Sequence, residues 1–388
     1  MIDIVKSSMC TGCFACENVC PKKCITMTND NEGFWYPKVN IKNCINCGIC
    51  EEKCPIIRRN PTISLKKAYA AVNKDDAIRQ VSSSGGVFTL IAKKIIDDGG
   101  VVFGAAFSDD FYSARHIAVN TIDSLEKLRG SKYLQSEIGN TYNEAKKLLD
   151  CGKKVLFTGT PCQIGGLKSF LGKEYKNLYT QDIICHGVPS PKVWKSYLQY
   201  QENIAHSKAK KAFFRYKKTG WKSYSILLNF KNNKEMQEIF TENLYMKGFL
   251  ANLFLRPSCY NCSFKSLERQ SDVTLSDFWG IENILPEFND DKGTSLVFIN
   301  TKKGEQLFDD INEYLTVKKV DINNAIKYNS SAVKSVQPHE NRKKFFKTYK
   351  NKGFYYAITN CMELSAYKKI IWFSKKAILK IIKIVRGI

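Results

Sequence analysis

No stretch of this 388-residue sequence approaches about 18 uninterrupted apolar residues, so no transmembrane helix is expected. The opening MIDIVKSSMCTGC has neither a basic n-region nor an apolar h-region, so no secretory leader is expected and the chain reads as cytoplasmic. A G-x-G-x-x-G fingerprint is missing, which leaves an ordinary dinucleotide-binding Rossmann site unsupported. Carboxylates are scarce: 37 Asp and Glu face 60 Lys and Arg, for a net charge of +23. The shortage is greatest from Lys334 onward, where 14 Lys and Arg meet only Glu340 and Glu363. That unevenness points to an anionic partner for the tail, not for the whole protein. Aromatic residues are plentiful, with 23 Phe and 19 Tyr, and they exclude a disordered chain.

Cysteine is present in excess. Nine of the 15 cysteines fall before residue 55, in a pattern that repeats. Cys10, Cys13, Cys16, Cys20 and Pro21 recur as Cys44, Cys47, Cys50, Cys54 and Pro55, a shift of 34 residues. A reducing cytosol disfavours a disulfide framework, and metal ligation explains the spacing better. C-x2-C-x2-C-x3-C-P lets three thiolates converge on one cubane, while the fourth reaches the other. One [4Fe–4S] cluster is therefore expected on Cys10, Cys13, Cys16 and Cys54, and a second on Cys44, Cys47, Cys50 and Cys20. Zinc sites use paired ligands rather than runs of three plus one. Cys24 is a spare, read as a small packed residue. Apolar and β-forming residues at 34–37 and 39–41 supply a small core, and the polar segment 58–62 reads as a linker.

Beyond residue 68 the signals alternate between strand and helix. Strands are expected at 68–72, Val101–Phe107, 154–157, 178–184, 212–216, 224–230, 273–276 and 296–300. Helices are expected at 87–96, 141–149, 163–171 and 191–201. Ser82, Ser83, Ser84, Gly85 and Gly86 form a turn before a helix and are the best phosphate cradle: glycines admit close approach, hydroxyls donate, and the helix offers free N–H groups. The same turn is also a common helix cap. Gly130, Ser131 and Lys132 form a second candidate. Cys162, Cys185, Cys259 and Cys262 lie in loops, where site residues gather. By spacing they read equally as a third ligand set or as unrelated buried thiols.

The stretches SSSGGVFT, GSKYLQS, GTPCQIGGLKSFL, CHGVPSP, RPSCYNCSFK and SDVTLSDFWGIE resemble the family of coenzyme F-420 hydrogenase/dehydrogenase beta subunits. The similarity runs from about residue 10 to about 296. It implies an FAD domain carrying a third [4Fe–4S] cluster, with Cys162, Cys185, Cys259 and Cys262 as ligands. It also implies that Thr158, Gly159, Thr160 and Gln163 line the flavin. A flavin suits the terminus of an iron–sulfur wire, because it interconverts one- and two-electron chemistry. His186, next to Cys185, could donate to a flavin or substrate oxygen as a catalytic group, or be a satisfied structural histidine. Asp277 is a candidate carboxylate or a buried partner, and Trp279 reads as packing.

In the last residues, a helical wheel over 367–388 gathers seven Lys and Arg within an arc of roughly 140° opposite an apolar face. That pattern fits an anionic membrane surface, with self-docking and a nucleic-acid arm as the alternatives. The basic run 208–218 reads as a half-buried strand with a solvated face and carries no nucleic-acid motif. The expected fold is α+β: a two-cluster ferredoxin domain at 1–60, a larger mixed α/β flavin domain at 68–330, and a basic tail with an amphipathic helix at 334–388. The expected activity is an iron–sulfur flavoprotein oxidoreductase. It would exchange electrons with a donor or acceptor protein and act on a small-molecule substrate. The alternative is a non-catalytic ferredoxin-like electron-transfer subunit serving a partner enzyme.

Overall fold

The computed structural model describes Ile2 and residues 8–64 and 67–362. The helix expected at 367–388, and with it the membrane-surface reading, lies outside the described residues. No helix among the described residues is long and apolar enough to cross a membrane. The strands in chain order are β1 (Ile25–Asn29), β2 (Trp35–Val39), β3 (Ile63–Ser64), β4 (Lys67–Asn73), β5 (Val101–Phe107), β6 (Ala114–Val119), β7 (Ser136–Glu137) and β8 (Val155–Thr158). They continue with β9 (Leu178–Ile183), β10 (Ala209–Tyr216), β11 (Ser225–Phe230), β12 (Glu235–Ile239), β13 (Glu268–Arg269), β14 (Val273–Asp277), β15 (Ser295–Ile299) and β16 (Leu315–Val320).

The cysteine repeat is also a backbone repeat. Gly12 and Phe14, on either side of Cys13, are left-handed with φ of 63° and 66°. Asn46 and Gly48, on either side of Cys47, match them at 52° and 75°. A left-handed residue is costly without a reason, and turns of this type offer backbone N–H groups to an anionic centre. Short helices, Ala15–Val19 and Ile49–Glu52, follow each turn and carry Cys16 and Cys50. Between the two motifs β1 and β2 form an antiparallel hairpin, and Phe14 meets Trp35 edge to face at 6.0 Å.

The larger unit is built on a nine-stranded sheet in the order β16-β4-β15-β14-β9-β8-β5-β6-β7. Strands β5, β8, β9 and β14 run parallel. Side chains alternate between faces, so consecutive residues enter different cores. Val102 and Leu156 pack with Leu90, Ile91 and Ile95 of the helix Val87–Asp97 and with Leu307 and Phe308 of Lys302–Asp309. Phe103 and Phe157 stack at 5.4 Å in the opposite core with Tyr142, Ile164 and Leu167, which also receives Phe14, Ile25, Met27 and Trp35 of the cysteine-rich unit. The two units thus share one hydrophobic core.

A separate core joins β10-β11-β12, the helix Pro191–Ala205 and the helix Arg342–Cys361, which buries Phe345, Tyr349, Phe354, Ala357 and Ile358. Part of the basic segment after Lys334 is therefore packed against this core. Gly353, at φ 77°, breaks that helix, so its apolar positions change phase midway and no single stripe is visible in the sequence.

The parallel strands place their carboxyl ends on one edge, where ligands of open α/β sheets bind. The loops after β4, β8, β9 and β14 hold Ser82 to Gly86, Thr158 to Cys162, Cys185 with His186, and Phe278 with Trp279.

Candidate metal and cofactor site

In the cysteine-rich unit, Cys20 lines one cavity with Cys44, Cys47 and Cys50, together with Cys24, Lys22 and Ile45. The fourth cysteine of the first run thus faces the second. Reciprocally, Cys10, Cys13, Cys16 and Cys54 stand within mutual electrostatic reach. Burial pushes the Cys13 thiol up to about 12 and Cys16 well above its ordinary range, with the neighbouring thiols adding to both. Thiolates at such positions need a positive centre, because the metal-bound form is the deprotonated one. Cys24 Sγ lies 3.4 Å from Cys20 Sγ.

A second cavity, with about 490 Å³ of empty space counting its mouth, is lined by Cys162, Cys185, Cys259 and Cys262. Cys162 opens the helix Pro161–Leu171 directly after β8. Cys185 follows β9, and Cys259 lies in the 3-10 turn Pro257–Asn261 with Cys262 at its end. An isolated bridge between Pro189 and Leu255 draws the last two segments together, and the Val188 N–H donates to Cys259 Sγ at 3.4 Å. Burial raises Cys162 far above the usual thiol range, Cys185 to about 11 against the pull of Lys265, and Cys259 to about 12.

Two orphaned polar groups face the same space. The Nε and Nη2 of Arg269 and the Oγ1 of Thr11 are buried without a hydrogen-bond partner, and both residues line the cavity. Buried polar groups are nearly always paired, so such groups fit a site that water, an ion or a cofactor completes. Arg269 Nη1 lies 3.8 Å from Asp182, while Lys265 donates to the carbonyls of Cys185 and Ser331. Thr11 comes from the loop between Cys10 and Cys13, so the first cysteine run forms one wall of the inner cavity. Arg256, fully buried, holds that junction: it donates to Cys10 O at 2.8 Å, Gln135 Oε1 at 3.1 Å and Trp35 O at 2.8 Å.

The flavin candidates fall into two groups joined by one segment. Ser83 and Ser131 hydroxyls are 2.9 Å apart, which brings the two proposed cradles together. Arg215, buried with its Nε unpaired, donates to Ser83 O at 3.3 Å and to Asp277 at 3.0 Å. It lies 4.0 Å from the Tyr224 ring and 5.2 Å from Trp279, which stacks on Trp221 at 5.0 Å. Asp277 is thus the partner of Arg215 and of the Trp221 indole N–H, at 2.8 Å.

The segment from Ser131 runs on to Gln135, which touches Arg256 and Thr11, and Ser136, which accepts from Gln163. Gln163 and Thr160 cap the helix Pro161–Leu171 reciprocally, and the Thr160 hydroxyl lies 3.1 Å from Cys162 Sγ. Thr158 donates to Phe103 O, and the Gly159 N–H donates to Gln181 O.

Several of these residues also have structural duties. Ser82 and Ser84 hydroxyls donate to Ile78 O and Thr294 O. A Cβ on Gly85 would meet Ala71 O at 2.4 Å, and Gly86 is left-handed at φ 85°. The Gly130 position, also left-handed, is open. Lys132 donates to three carbonyls at the end of the preceding helical turn, and burial brings it down to about 7. His186 lines the thiol cavity, lies edge-on to Phe249 at 5.1 Å, and bonds Asn252 Oδ1 through Nε2 at 2.7 Å. Burial lowers its pKa, so the ring is neutral and, with Nε2 donating, its Nδ1 is an acceptor. Sequence reasoning passed over Thr11, Arg256 and Arg269. Their signal was proximity to the cysteine motifs, in CTGC, RPSCYNC and FKSLER. Arg215 sits in the basic run read as a half-buried strand with a solvated face; it and Lys217 are on the buried side.

Interlocked thiol runs packed against a mixed sheet define an iron–sulfur electron-transfer protein of oxidoreductase type. The chain belongs to the family of coenzyme F420 hydrogenase/dehydrogenase beta subunits. The family's N-terminal profile matches residues 68–141, its C-terminal profile matches 152–324, and a 4Fe-4S dicluster domain matches 9–56. The chain is 25% identical over 172 residues to a subunit of the F(420)H(2) dehydrogenase of Methanosarcina mazei, covering 42% of this chain and 48% of that one. It is 28% identical over 196 residues to a coenzyme F420-dependent sulfite reductase of Methanocaldococcus jannaschii, covering 48% of this chain and 29% of that one. The matches therefore span about half of one relative and under a third of the other. A chain in the F420-reducing [NiFe] hydrogenase complex of Methanosarcina barkeri aligns with a TM-score of 0.47 and 18% identity, over 77% of this chain and 92% of that one.

Proposed function

We propose that the chain is an iron–sulfur flavoprotein subunit that exchanges electrons with a carrier protein at one end and with a small organic substrate at the other. When bound, the clusters supply one-electron transfer and FAD supplies conversion to two-electron chemistry. The observation that carries this reading is the succession of thiol sets. Exposed Cys47 stands at the surface, the set with Cys10 and Cys54 lies inward, and the cavity of Cys162, Cys185, Cys259 and Cys262 shares Thr11 with it. The four inner cysteines fit a third [4Fe–4S] cluster by donor type, by convergence on one space and by the orphaned donors of Arg269 and Thr11 beside them.

FAD would lie at the carboxyl edge of the sheet. Ser83, Ser131 and the unpaired Nε of Arg215 would bind its anionic or carbonyl groups, and Gly130 leaves room for close approach. Ser82, Ser84, Gly85 and Gly86 hold that cradle in shape. Thr158, Gly159, Thr160 and Gln163 form the wall between this place and Cys162. Lys132 fixes the turn that presents Ser131. His186, neutral and tethered through its Nε2–H to Asn252, would offer Nδ1 as a proton acceptor beside the inner cavity. The segment from Ser131 to Ser136 touches both places.

The commitment of Ser82, Ser84 and Lys132 to internal carbonyls favours a second reading, a relay subunit without flavin. Anaerobically purified protein separates the two. Bound FAD that is released on denaturation, with reductase activity towards a dye, is the expected result. Full iron content with no FAD and no dye reduction would leave the relay reading.

A further inference from the structure

The outermost thiol set opens onto a surface unlike the rest of its unit. Cys47 is exposed, and Ile45, which lines the same cavity, is 58% exposed. Ile41, one 3-10 turn before Cys44, is 72% exposed, the highest of any large apolar side chain among the described residues. Lys22 lines the cavity mouth, and Lys23, Lys38 and Lys42 are exposed around it. None of these lysines has a carboxylate partner among the described residues.

The carboxylates between Cys20 and Cys50 are Asp30 and Glu32, both at the far turn of the hairpin. Asp30 accepts the N–H groups of Glu32 and Phe34, and Glu32 is clamped by both guanidinium nitrogens of Arg342. Ile25 and Val39, at the other end of the same hairpin, line the cavity. A five-residue strand spans about 15 Å, more than a Debye length in physiological salt. The mouth is therefore apolar at its centre and cationic on the side of Lys22, Lys23 and Lys42, while Glu51 stands beside Cys50 and Glu52 is paired with Lys53.

We propose that this mouth docks a small acidic one-electron carrier protein, with Ile45 and Ile41 at the contact centre and Lys22, Lys23, Lys38 and Lys42 steering the approach. The proposal rests on the reading of the outer thiols as a redox cluster and names the surface and charge of the partner. Apolar centres with charged rims are the anatomy of protein interfaces, and redox encounters are small and fast. Complementary charge raises the association rate and makes it fall with salt. A nucleic acid would need exposed aromatic platforms, which two isoleucines do not provide.

The test uses the full chain purified without oxygen and a plant-type acidic [2Fe–2S] ferredoxin as probe. Its affinity for the chain, and the rate at which its reduced form bleaches the chain's iron–sulfur absorbance, are measured across ionic strengths. Both are expected to fall as salt rises. The K23E/K38E/K42E variant should lose at least tenfold in both and lose the salt dependence, while Ile41→Ser should weaken binding without changing the salt slope. Iron content and bleaching by dithionite should stay at wild-type levels in each variant. Unchanged ferredoxin affinity and rate in variants that dithionite still bleaches would overturn the docking surface alone. So would substitutions that abolish binding to phosphatidylserine vesicles and leave the ferredoxin untouched. Wild-type protein that dithionite cannot bleach would overturn the redox reading together with the docking surface.

Discussion

The two thiol-bearing regions of this molecule bring their cysteines together in opposite ways. The N-terminal unit repeats one short motif, turns it with left-handed residues at matching places, and leaves Cys47 in solvent. The inner cavity gathers its cysteines from the start of one helix and two loops spread over 101 positions, between Cys162 and Cys262, and walls them with cationic side chains. Local repetition builds the first site from contacts that close within about 45 residues. Only the sheet builds the second, because adjacent parallel strands β8 and β9 deliver Cys162 and Cys185 to one edge. Sequence spacing describes a site well when the ligands share a turn and poorly when tertiary structure assembles them.

This contrast can be broken most sharply at the ligands. Cys162→Ser should remove the inner cluster's iron, about four of twelve atoms for three cubanes, and leave the outer clusters and the fold intact. Cys47→Ser should remove the iron of the outer cluster it ligates, again about four of twelve atoms, and leave the inner one. Iron and sulfide analysis of the two variants checks this, and loss of all iron in both would mean the regions are not independent.

The junction comes next. Arg256→Ala leaves three acceptors facing a void and is expected to destabilise the chain by about 3 kcal/mol, seen as a lower thermal midpoint. A change below about 0.5 kcal/mol would show the units to be held by their shared core alone.

Arg269→Met sharpens the difference in charge. Under the three-cluster proposal, loss of the guanidinium beside the inner thiols should lower the inner cluster's reduction potential, with the outer pair unmoved. A tenfold shift in a one-electron equilibrium is about 59 mV, well resolved by a potentiometric titration followed by electron paramagnetic resonance.

A fourth prediction concerns pH. Burial brings Lys217 down to about 7 in the folded chain, whereas the unfolded side chain titrates near its ordinary value. Between those values the unfolded state binds more protons, so this lysine makes stability rise with pH from about 7 towards about 10. Lys217→Met should flatten that rise relative to wild type in denaturant titrations, and an unchanged slope would contradict it. The smallest effect is expected at Cys24→Ala: unchanged iron, and under about 1.5 kcal/mol of stability.

Strands β4, β5, β8, β9, β10, β11, β14 and β15 were legible as apolar or β-branched runs, and their bounds fall close to the expected ones. Strands β6, β12 and β16 were not, because their exposed faces carry Arg115, Glu235, Lys318 and Lys319 and dilute the alternation. The helix Arg342–Cys361 was hidden by its break at Gly353 and by its lysines. Within the candidate site, the N-terminal cysteines announced themselves by their repeated spacing, whereas Cys162, Cys185, Cys259 and Cys262 read by spacing equally as buried thiols. Arg215 did not announce itself. A buried cation looks the same in sequence as a solvated one, and only the Tyr224 and Trp279 rings and the Asp277 carboxylate distinguish it. Arg256 and Thr11 were marked only by their nearness to cysteine motifs, because their contacts span 246 and 124 positions of chain.

The most direct test of the central claim is the ratio of iron and acid-labile sulfide to polypeptide in full-length protein prepared without oxygen. About twelve of each per chain are predicted, from three cubanes of four iron atoms. Eight of each would remove the inner cluster from the scheme. Zinc in place of iron, or colourless protein with no metal, would contradict the account as a whole.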